Sequence, residues 1–358
     1  MTFLNEPTAA LPPLPTATVS GWASFLHRHD TRGGLFVMGM LDAIVDAFGL
    51  LLRLGGRPLR GLLIQLLGNL SYALSPDRRR VSMINLDLAF GDTLSEAEKR
   101  RVVRGMFLHY LRVVLDSFYN NIYWPREKLL ASIGREGTAP IEAALKLGQG
   151  YAFITSHLGN IDMSARVVVA NGYACFGIYK GFSNAWFDRY MGRKRLAYGL
   201  SLIEVPATRH DLVNGRREKA PRASLREEIH AIWQQNVGLY FACDQYSRKG
   251  GVPMTFMGVA GAPMQVGALK YAVDRHVPLI FGNLVYDDGQ LKWHVSGPII
   301  IEDQPGGADA TLQHYLERYN RWLEKEIRQY PEQYAWAHRR FPRHYYERAR
   351  PVRADPAT

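Results

Sequence analysis

The chain has 358 residues, 47% of them hydrophobic, and a formal net charge of +11 at pH 7. This length and composition exclude a disordered or fibrous protein and allow one large domain, or two modest ones, with a sizeable core. The positive charge favours anionic partners such as nucleic acid, an anionic bilayer or an acidic protein, and charge alone does not choose among them.

Two cysteines, Cys175 and Cys243, lie far apart and match neither a disulfide framework nor a zinc-ligand motif. We therefore expect two buried thiols in a reducing compartment and no metal site. The N-terminus lacks the pattern of a cleavable signal peptide, and no stretch of about 20 residues is both apolar and uncharged.

The N-terminal part consists of a Pro-, Thr- and Ala-rich lead over residues 1–20, expected to be disordered, and apolar helices over residues 21–76. Asp42 and Asp46 fall on one narrow stripe of the first apolar helix, and the basic run 78–80 follows the last one. Apolar helices bracketed by arginines are typical of a bilayer interface, so we expect this part to associate with a membrane. The alternative is a pair of core helices in a large soluble domain.

Residues 77–342 read as one α/β domain. The Ser95 and Glu98 spacing fits a capping box, and apolar residues then recur at helical spacing over 94–122. Further predicted helices are 139–147, 162–170, 184–199, 223–235, 263–275 and 310–329, and predicted strands are 151–156, 173–179, 202–205, 237–243, 277–286 and 291–301. This alternation predicts a mixed central sheet flanked by helices, with a basic loop at 206–222 and a loose basic tail over 343–358.

The segment with the clearest chemical content is 154–162, in which His157 ends an apolar strand and Asp162 enters the first turn of a helix. Side chains on one helix meet at i+3 or i+4, so these two residues can meet only if the chain bends between them. Gly159 and Asn160 favour such a bend. We expect Asp162 to accept a hydrogen bond from one ring nitrogen of His157 and to raise the basicity of the other.

A His157–Asp162 pair has no nucleophile of its own, since the sequence contains no GxSxG elbow and neither cysteine lies near the motif. The pair predicts general-base activation of an acceptor hydroxyl, which would attack an acyl donor directly. An esterase or thioesterase that activates water with the same pair remains an alternative. A nucleic-acid-binding protein is disfavoured, because no helix-turn-helix, zinc finger or aromatic-basic patch accompanies the charge.

Several further blocks occur in a characteristic order around the His-x4-Asp motif. These blocks are residues 78–90, 94–98, 179–199, 244–258 and 331–341. With them, the chain from about residue 75 to residue 342 resembles the bacterial lipid A biosynthesis acyltransferases, the lauroyl and myristoyl transferases. This family lies within the glycerophospholipid-type acyltransferase superfamily, whose hallmark is His, four residues, then Asp or Glu.

The resemblance implies that His157 and Asp162 are catalytic and that the co-substrate is an acyl–acyl carrier protein or acyl-CoA, without a cofactor. It implies substrate contacts by a wider set of residues: Asn160, Tyr179, Lys180, Arg193, Arg195, Asp244, Gln245, Arg248 and Lys249. Arg193 and Arg195 would bind phosphate, because a guanidinium matches phosphate bidentately, or would belong to a solvated helix face. Asp244 would orient the acceptor, pair with Arg195 or cap a turn.

The resemblance also implies residence at the cytoplasmic face of the bacterial inner membrane, peripheral or monotopic, with an anionic lipid acceptor. That acceptor would be a lipid A precursor or a related glycolipid. Members of the family usually have Glu at the position of Asp162 and often Arg at the position of Lys180. The Asp form also occurs in relatives that acylate other glycolipids or lysophospholipids, so these acceptors remain an alternative.

Overall fold

A computed structural model describes residues 32–123, 125–133, 137–181, 185–204, 209–210, 217–218, 222–247 and 251–348. The predicted lead over residues 1–20, most of the predicted loop at 206–222 and the chain after residue 348 lie outside the described residues.

Strands and helices alternate along the described chain. The strands are β1 (Tyr151–Thr155), β2 (Cys175–Tyr179), β3 (Ser201–Glu204), β4 (Arg209–His210), β5 (Arg217–Glu218), β6 (Gly238–Ala242), β7 (Val252–Phe256), β8 (Val259–Met264), β9 (Leu279–Asp287) and β10 (Gln290–Ile299). The helices are α1 (Arg32–Leu74), α2 (Pro76–Phe90), α3 (Glu96–Tyr123), α4 (Arg126–Ile133), α5 (Ala139–Leu145), α6 (Ile161–Ala170), α7 (Ala185–Ala197), α8 (Arg222–Gln234), α9 (Gly267–Asp274), α10 (Ala308–Gln329) and α11 (Arg343–Arg348), with a short 3-10 turn at Pro331–Gln333.

A six-stranded sheet with the order β10-β9-β1-β6-β2-β3 forms the centre of the fold. Strands β9, β1, β6, β2 and β3 are parallel, and β10 joins the edge as an antiparallel partner of β9. All five residues of β1 are buried, as expected for a central parallel strand that is covered on both faces. The predicted mixed α/β sheet flanked by helices is confirmed.

One predicted helix differs from the structure. The first residues of the predicted helix 263–275 belong to strand β8, and α9 begins only at Gly267. Strand β8 pairs with β7 across a tight turn in which Met257 and Gly258 both have positive φ angles, of 50° and 80°. Two consecutive left-handed residues make the type of turn that matches the twist of a hairpin. The segment after Arg343 also begins with a helix rather than a loose tail.

Helix α1 bends sharply at Gly56, whose φ of 60° is not helical, two residues before Pro58. Many large apolar side chains of α1 are exposed and form what we call the apolar stripe. Its members are Met40, Leu41, Ile44, Leu50, Leu51, Leu54, Leu62, Leu66, Leu67, Leu70 and Leu74. No helix within the described ranges is long and apolar enough to span a bilayer.

The two aspartates of α1 lie on one face of the helix, as their spacing predicts, and this face contacts α7. Trp186 Nε1 donates to Asp42 at 2.9 Å, and Tyr190 donates from its hydroxyl to Asp46 at 2.8 Å. Lys194 Nζ lies 2.9 Å from Asp46. The polar side of α1 is therefore bound to α7, and the apolar stripe remains exposed.

Candidate active site

The sheet register brings His157 and Asp244 together. Strands β1 and β6 are parallel neighbours, and Thr155 is paired with Ala242 at their carboxyl ends. His157 and Asp244 each follow two residues later, so both leave the sheet at the same edge. Ligand sites of open α/β sheets lie at the carboxyl ends of the strands, and these two side chains meet there.

Asp244, rather than Asp162, orients the His157 ring. His157 Nδ1 lies 2.8 Å from Asp244 Oδ1, and the His157 backbone N–H donates to Asp244 Oδ2 at 3.0 Å. Asp244 is buried, whereas the His157 side chain is 32% exposed. The predicted direct contact between Asp162 and the imidazole is therefore wrong.

The partners of the His157 ring determine which nitrogen carries the proton. An ionised carboxylate only accepts hydrogen bonds, so Nδ1 carries the proton that Asp244 accepts. In the neutral ring, Nε2 then presents its lone pair, and the Gln245 amide nitrogen lies 3.0 Å from it. Gln245 thus lies at the ring nitrogen that Asp244 does not contact.

The charges around His157 favour its protonated form. Burial acts to lower the pKa of His157, but the charge and hydrogen bond of Asp244, together with the charge of Asp162, raise it above its usual value. Burial also acts to raise the pKa of Asp244, and the contacts with His157 and the charge of Arg340 reverse this and lower it. Asp244 therefore stays ionised and stabilises the imidazolium.

Asp162 is bound by Arg195. The Arg195 guanidinium donates to Asp162 Oδ1 from Nη2 at 2.5 Å and from Nε at 3.1 Å. This ion pair is partly buried, and Asp162 still acts on His157 electrostatically. The structure therefore brings Arg195 to the motif carboxylate, where the sequence predicted a contact with substrate phosphate.

Hydrogen bonds from distant parts of the chain hold the loop that carries His157. The Ser156 N–H donates to Asn283 Oδ1 at 3.1 Å, and the Ala335 N–H donates to the His157 carbonyl at 3.1 Å. The Gly159 N–H donates to the Gln333 carbonyl at 3.1 Å. The backbone of the His157 loop is thus held on several sides, which fixes the position of the imidazole.

Asn160 supports this loop from within the core. Its Oδ1 accepts from the Met163 N–H at 3.0 Å, which caps α6, and its Nδ2 donates to the Tyr286 hydroxyl at 2.9 Å. Asn160 is fully buried. The structure therefore gives Asn160 a supporting role, where the sequence predicted substrate binding.

The loop has further supports that sequence reasoning missed. Tyr286 donates to Asp116 Oδ2 at 2.7 Å, and Asp116 is bound in turn by Arg60 of α1 at 2.7 Å. Burial lowers the pKa of His109 to about 4, so the ring is neutral and donates from Nε2 to the Gly159 carbonyl at 3.1 Å. These residues lie in separate helices and strands, so no local pattern in the sequence groups them. The one local indication of a buried polar contact was Asp116, a carboxylate in an otherwise apolar run.

The remaining predicted residues occupy three kinds of position. Tyr179 and Lys180 lie at the carboxyl end of β2, and the guanidinium of Arg195 lies 6.0 Å from the Tyr179 ring centroid. Arg193 forms an ion pair with Asp42 of α1 and is exposed. Two predicted contacts, Arg248 and Lys249, lie outside the described residues.

Among the described side chains, no group of His, Cys, Asp and Glu is arranged to hold a metal ion.

Comparison with known proteins identifies the family of the chain. Residues 36–343 match the family described as bacterial lipid A biosynthesis acyltransferase. The chain belongs to this family. The predicted resemblance is thus confirmed, and so is the prediction of an acyltransferase.

Three curated relatives show the same similarity at low identity. Lipid A biosynthesis acyltransferase 1 of Shigella flexneri is 23% identical over 272 residues, which is 75% of this chain and 77% of the relative. The lipid A biosynthesis palmitoleoyltransferase of Escherichia coli K12 is 21% identical over 266 residues, covering 74% and 78%. The lipid A biosynthesis myristoyltransferase of the same strain is 23% identical over 272 residues, covering 75% and 77%.

Replacing Asp244 by Asn tests the assignment of His157's partner. Asp244→Asn removes the charge that favours the imidazolium, so burial dominates and the pKa of His157 falls. An NMR titration of the His157 ring in both proteins measures this shift, and the backbone amide spectrum verifies the fold. An unchanged titration midpoint would show that Asp244 does not control the ring.

Gly159→Ala tests how tightly the loop is held. Gly159 has a φ of 72°, and a Cβ there would lie 2.1 Å from the Leu284 carbonyl oxygen. The matched control is Gly148→Ala, because Gly148 has a φ of 74° but open space around its Cβ position. Left-handed backbone costs a side chain about 1–2 kcal/mol, so we expect a loss of that size for Gly148→Ala and a larger one for Gly159→Ala. Chemical denaturation checks this, and equal losses would contradict the close packing of the loop.

Proposed function

We propose that the protein transfers a fatty acyl group from an acyl thioester, either acyl–acyl carrier protein or acyl-CoA, to a hydroxyl of a lipid A precursor or a related glycolipid. The observation that carries this proposal is the geometry of His157, whose Nδ1 is held by Asp244 at 2.8 Å while Nε2, 3.0 Å from the Gln245 amide nitrogen, presents its lone pair in the neutral ring. The family supplies the reaction type, and the site supplies the general base that this reaction requires.

In the proposed reaction, the acceptor hydroxyl displaces the Gln245 amide and donates its hydrogen bond to Nε2 of His157. The hydroxyl oxygen attacks the thioester carbonyl carbon as its proton moves to Nε2. The tetrahedral intermediate then collapses, the carbon–sulfur bond breaks, and the thiolate leaves and takes the proton from the imidazolium. Asp244 stabilises the imidazolium throughout, as a buried carboxylate does for other general-base histidines.

Asp162 contributes to this mechanism at longer range. Its negative charge favours the imidazolium, and its ion pair with Arg195 fixes the guanidinium beside the Tyr179 ring. Arg195 is thereby oriented at the carboxyl edge of the sheet, where an anionic part of either substrate would approach. In this proposal Asp244 orients the base and Asp162 shapes the electrostatic field around it.

The charge and the apolar stripe support a location at the cytoplasmic face of the inner membrane. A net charge of +11 attracts anionic lipids and also anionic donors, since acyl-CoA carries phosphates and the acyl carrier protein is acidic. The apolar stripe of α1 would lie in the bilayer interface while the polar face of α1 stays bound to α7. The acceptor and its acyl chains would then reach the site from the membrane side.

His157→Ala tests the proposed general base. The variant should lose at least about 10²-fold in the rate of acyl transfer, because positioned proton transfer contributes that much. The matched control is His276→Ala, since His276 also contacts an aspartate, Asp303 at 3.1 Å, but lies on the surface. Transfer of labelled acyl groups to a lipid A precursor and to a lysophospholipid identifies the acceptor. Retained transfer by His157→Ala would contradict the proposal.

The same assay without any lipid acceptor tests the esterase and thioesterase alternative. A transferase should release little free fatty acid from the thioester when no acceptor is present. Rapid release that does not depend on lipid would instead indicate that His157 activates water.

The pH dependence of transfer provides a separate test. The base must be unprotonated, so kcat/KM should rise with pH through the raised pKa of His157. Asp244→Asn lowers that pKa, which moves the rise to lower pH, and it lowers the plateau because the imidazolium loses its partner. A rise at the same pH in both proteins would show that another group limits the reaction.

A further inference from the structure

A cavity lies outside the His157 site, between the start of α2 and the C-terminal segment. Its volume is about 450 Å³. The cavity is lined by Asp77, Arg78, Arg80, Val81, Ile84, Arg339 and Tyr346. Three guanidinium groups and a single carboxylate give this lining a net positive charge.

One donor in this lining points to an anionic ligand. Arg80 Nη2 is buried and has no hydrogen-bond partner within the described structure. A buried donor without a partner costs free energy, and such groups in native proteins are usually satisfied by water or by a ligand. Arg339 lies 5.7 Å from the Tyr346 ring centroid, so the aromatic ring holds a second guanidinium at the cavity. Guanidinium groups match phosphate oxygens bidentately, which favours phosphate as the ligand.

The position of the cavity favours a lipid as the source of that phosphate. Leu70 and Leu74, at the end of the apolar stripe, are 53% and 72% exposed, and Asp77 of the cavity follows three residues after Leu74. An apolar helix at a bilayer interface places the residues at its basic end at the level of the lipid phosphates. A headgroup in the cavity would therefore have its acyl chains beside Leu70 and Leu74.

We propose that the cavity formed by Arg78, Arg80 and Arg339 binds the phosphate headgroup of a membrane lipid. The proposal rests on the membrane location proposed above for α1, and it adds a defined phosphate site to it. Arg78 also connects the cavity to the segment that holds the His157 loop. Its Nη1 donates to the Ala337 carbonyl at 3.2 Å, and Ala335, two residues earlier, donates to the His157 carbonyl.

Vesicle binding by two matched double variants tests this site. Arg80→Gln/Arg339→Gln removes two cavity cations and leaves Arg78 in its structural contact. The control, Arg79→Gln/Arg343→Gln, removes the same charge from the same two segments. Neither residue lines the cavity, since Arg79 lies over the Tyr72 ring and Arg343 pairs with Glu347. Co-sedimentation is measured with vesicles of phosphatidylcholine alone and of phosphatidylcholine mixed with phosphatidic acid. Circular dichroism and thermal unfolding verify that both variants are folded.

The cavity variant should lose at least about tenfold more affinity for the phosphatidic acid vesicles than the control variant, because it loses charge-assisted hydrogen bonds as well as general attraction. Equal losses in the two variants would overturn the cavity site and leave the membrane location of α1 standing. Failure of the unaltered protein to bind any vesicle would overturn both proposals.

A second arm separates a lipid headgroup from free phosphate. Inorganic phosphate is titrated into the two variants and the unaltered protein, with calorimetry as the readout. The lipid assignment would be overturned by two results together: the cavity variant loses a tight binding of phosphate, and all three proteins bind vesicles equally. The cavity would then be a site for soluble phosphate.

Discussion

The hydrogen bond between His157 and Asp244 is the contact on which the rest of the site depends. It exists because two adjacent parallel strands end in register, with Thr155 paired to Ala242. A shift of that register by one residue would direct the side chains to opposite faces of the sheet and separate the imidazole from the carboxylate. The chemistry of the site is therefore specified by the pairing of β1 and β6 as much as by the motif around His157.

Two carboxylates act on one imidazole in different ways. Asp244 is buried, bonds to both the ring and the backbone of His157, and is kept ionised by these contacts. Asp162 is partly exposed and bound to Arg195, so its charge reaches the ring only through space. Because Asp162 makes no direct hydrogen bond to the ring, the length of the acid at this position does not set the orientation of the imidazole. The side-chain length of the acid at position 162 instead affects the ion pair with Arg195.

Local patterns in the sequence predicted the elements but not the partner of His157. The capping box at Ser95 and Glu98, the strand before His157 and the helix after it are all formed as expected, since each depends on neighbouring residues. The pairing with Asp244 depends on which strands become neighbours, and sequence spacing does not encode strand order. His109 and Tyr286 were missed for the same reason, because they reach the loop from elements far along the chain.

The hydrogen bonds that hold the His157 loop also determine when, during synthesis of the chain, the site can form. The loop donates a hydrogen bond to Gln333 and accepts one from Ala335, and both residues lie close to the C-terminal end of the family match. During synthesis these residues leave the ribosome after nearly all of the domain, and domains fold as units once their elements are available. A nascent chain that lacks Gln333 and Ala335 lacks these two hydrogen-bond partners of the loop. The placement of the imidazole therefore waits for the last-synthesised part of the family match, although His157 itself lies near the middle of the chain.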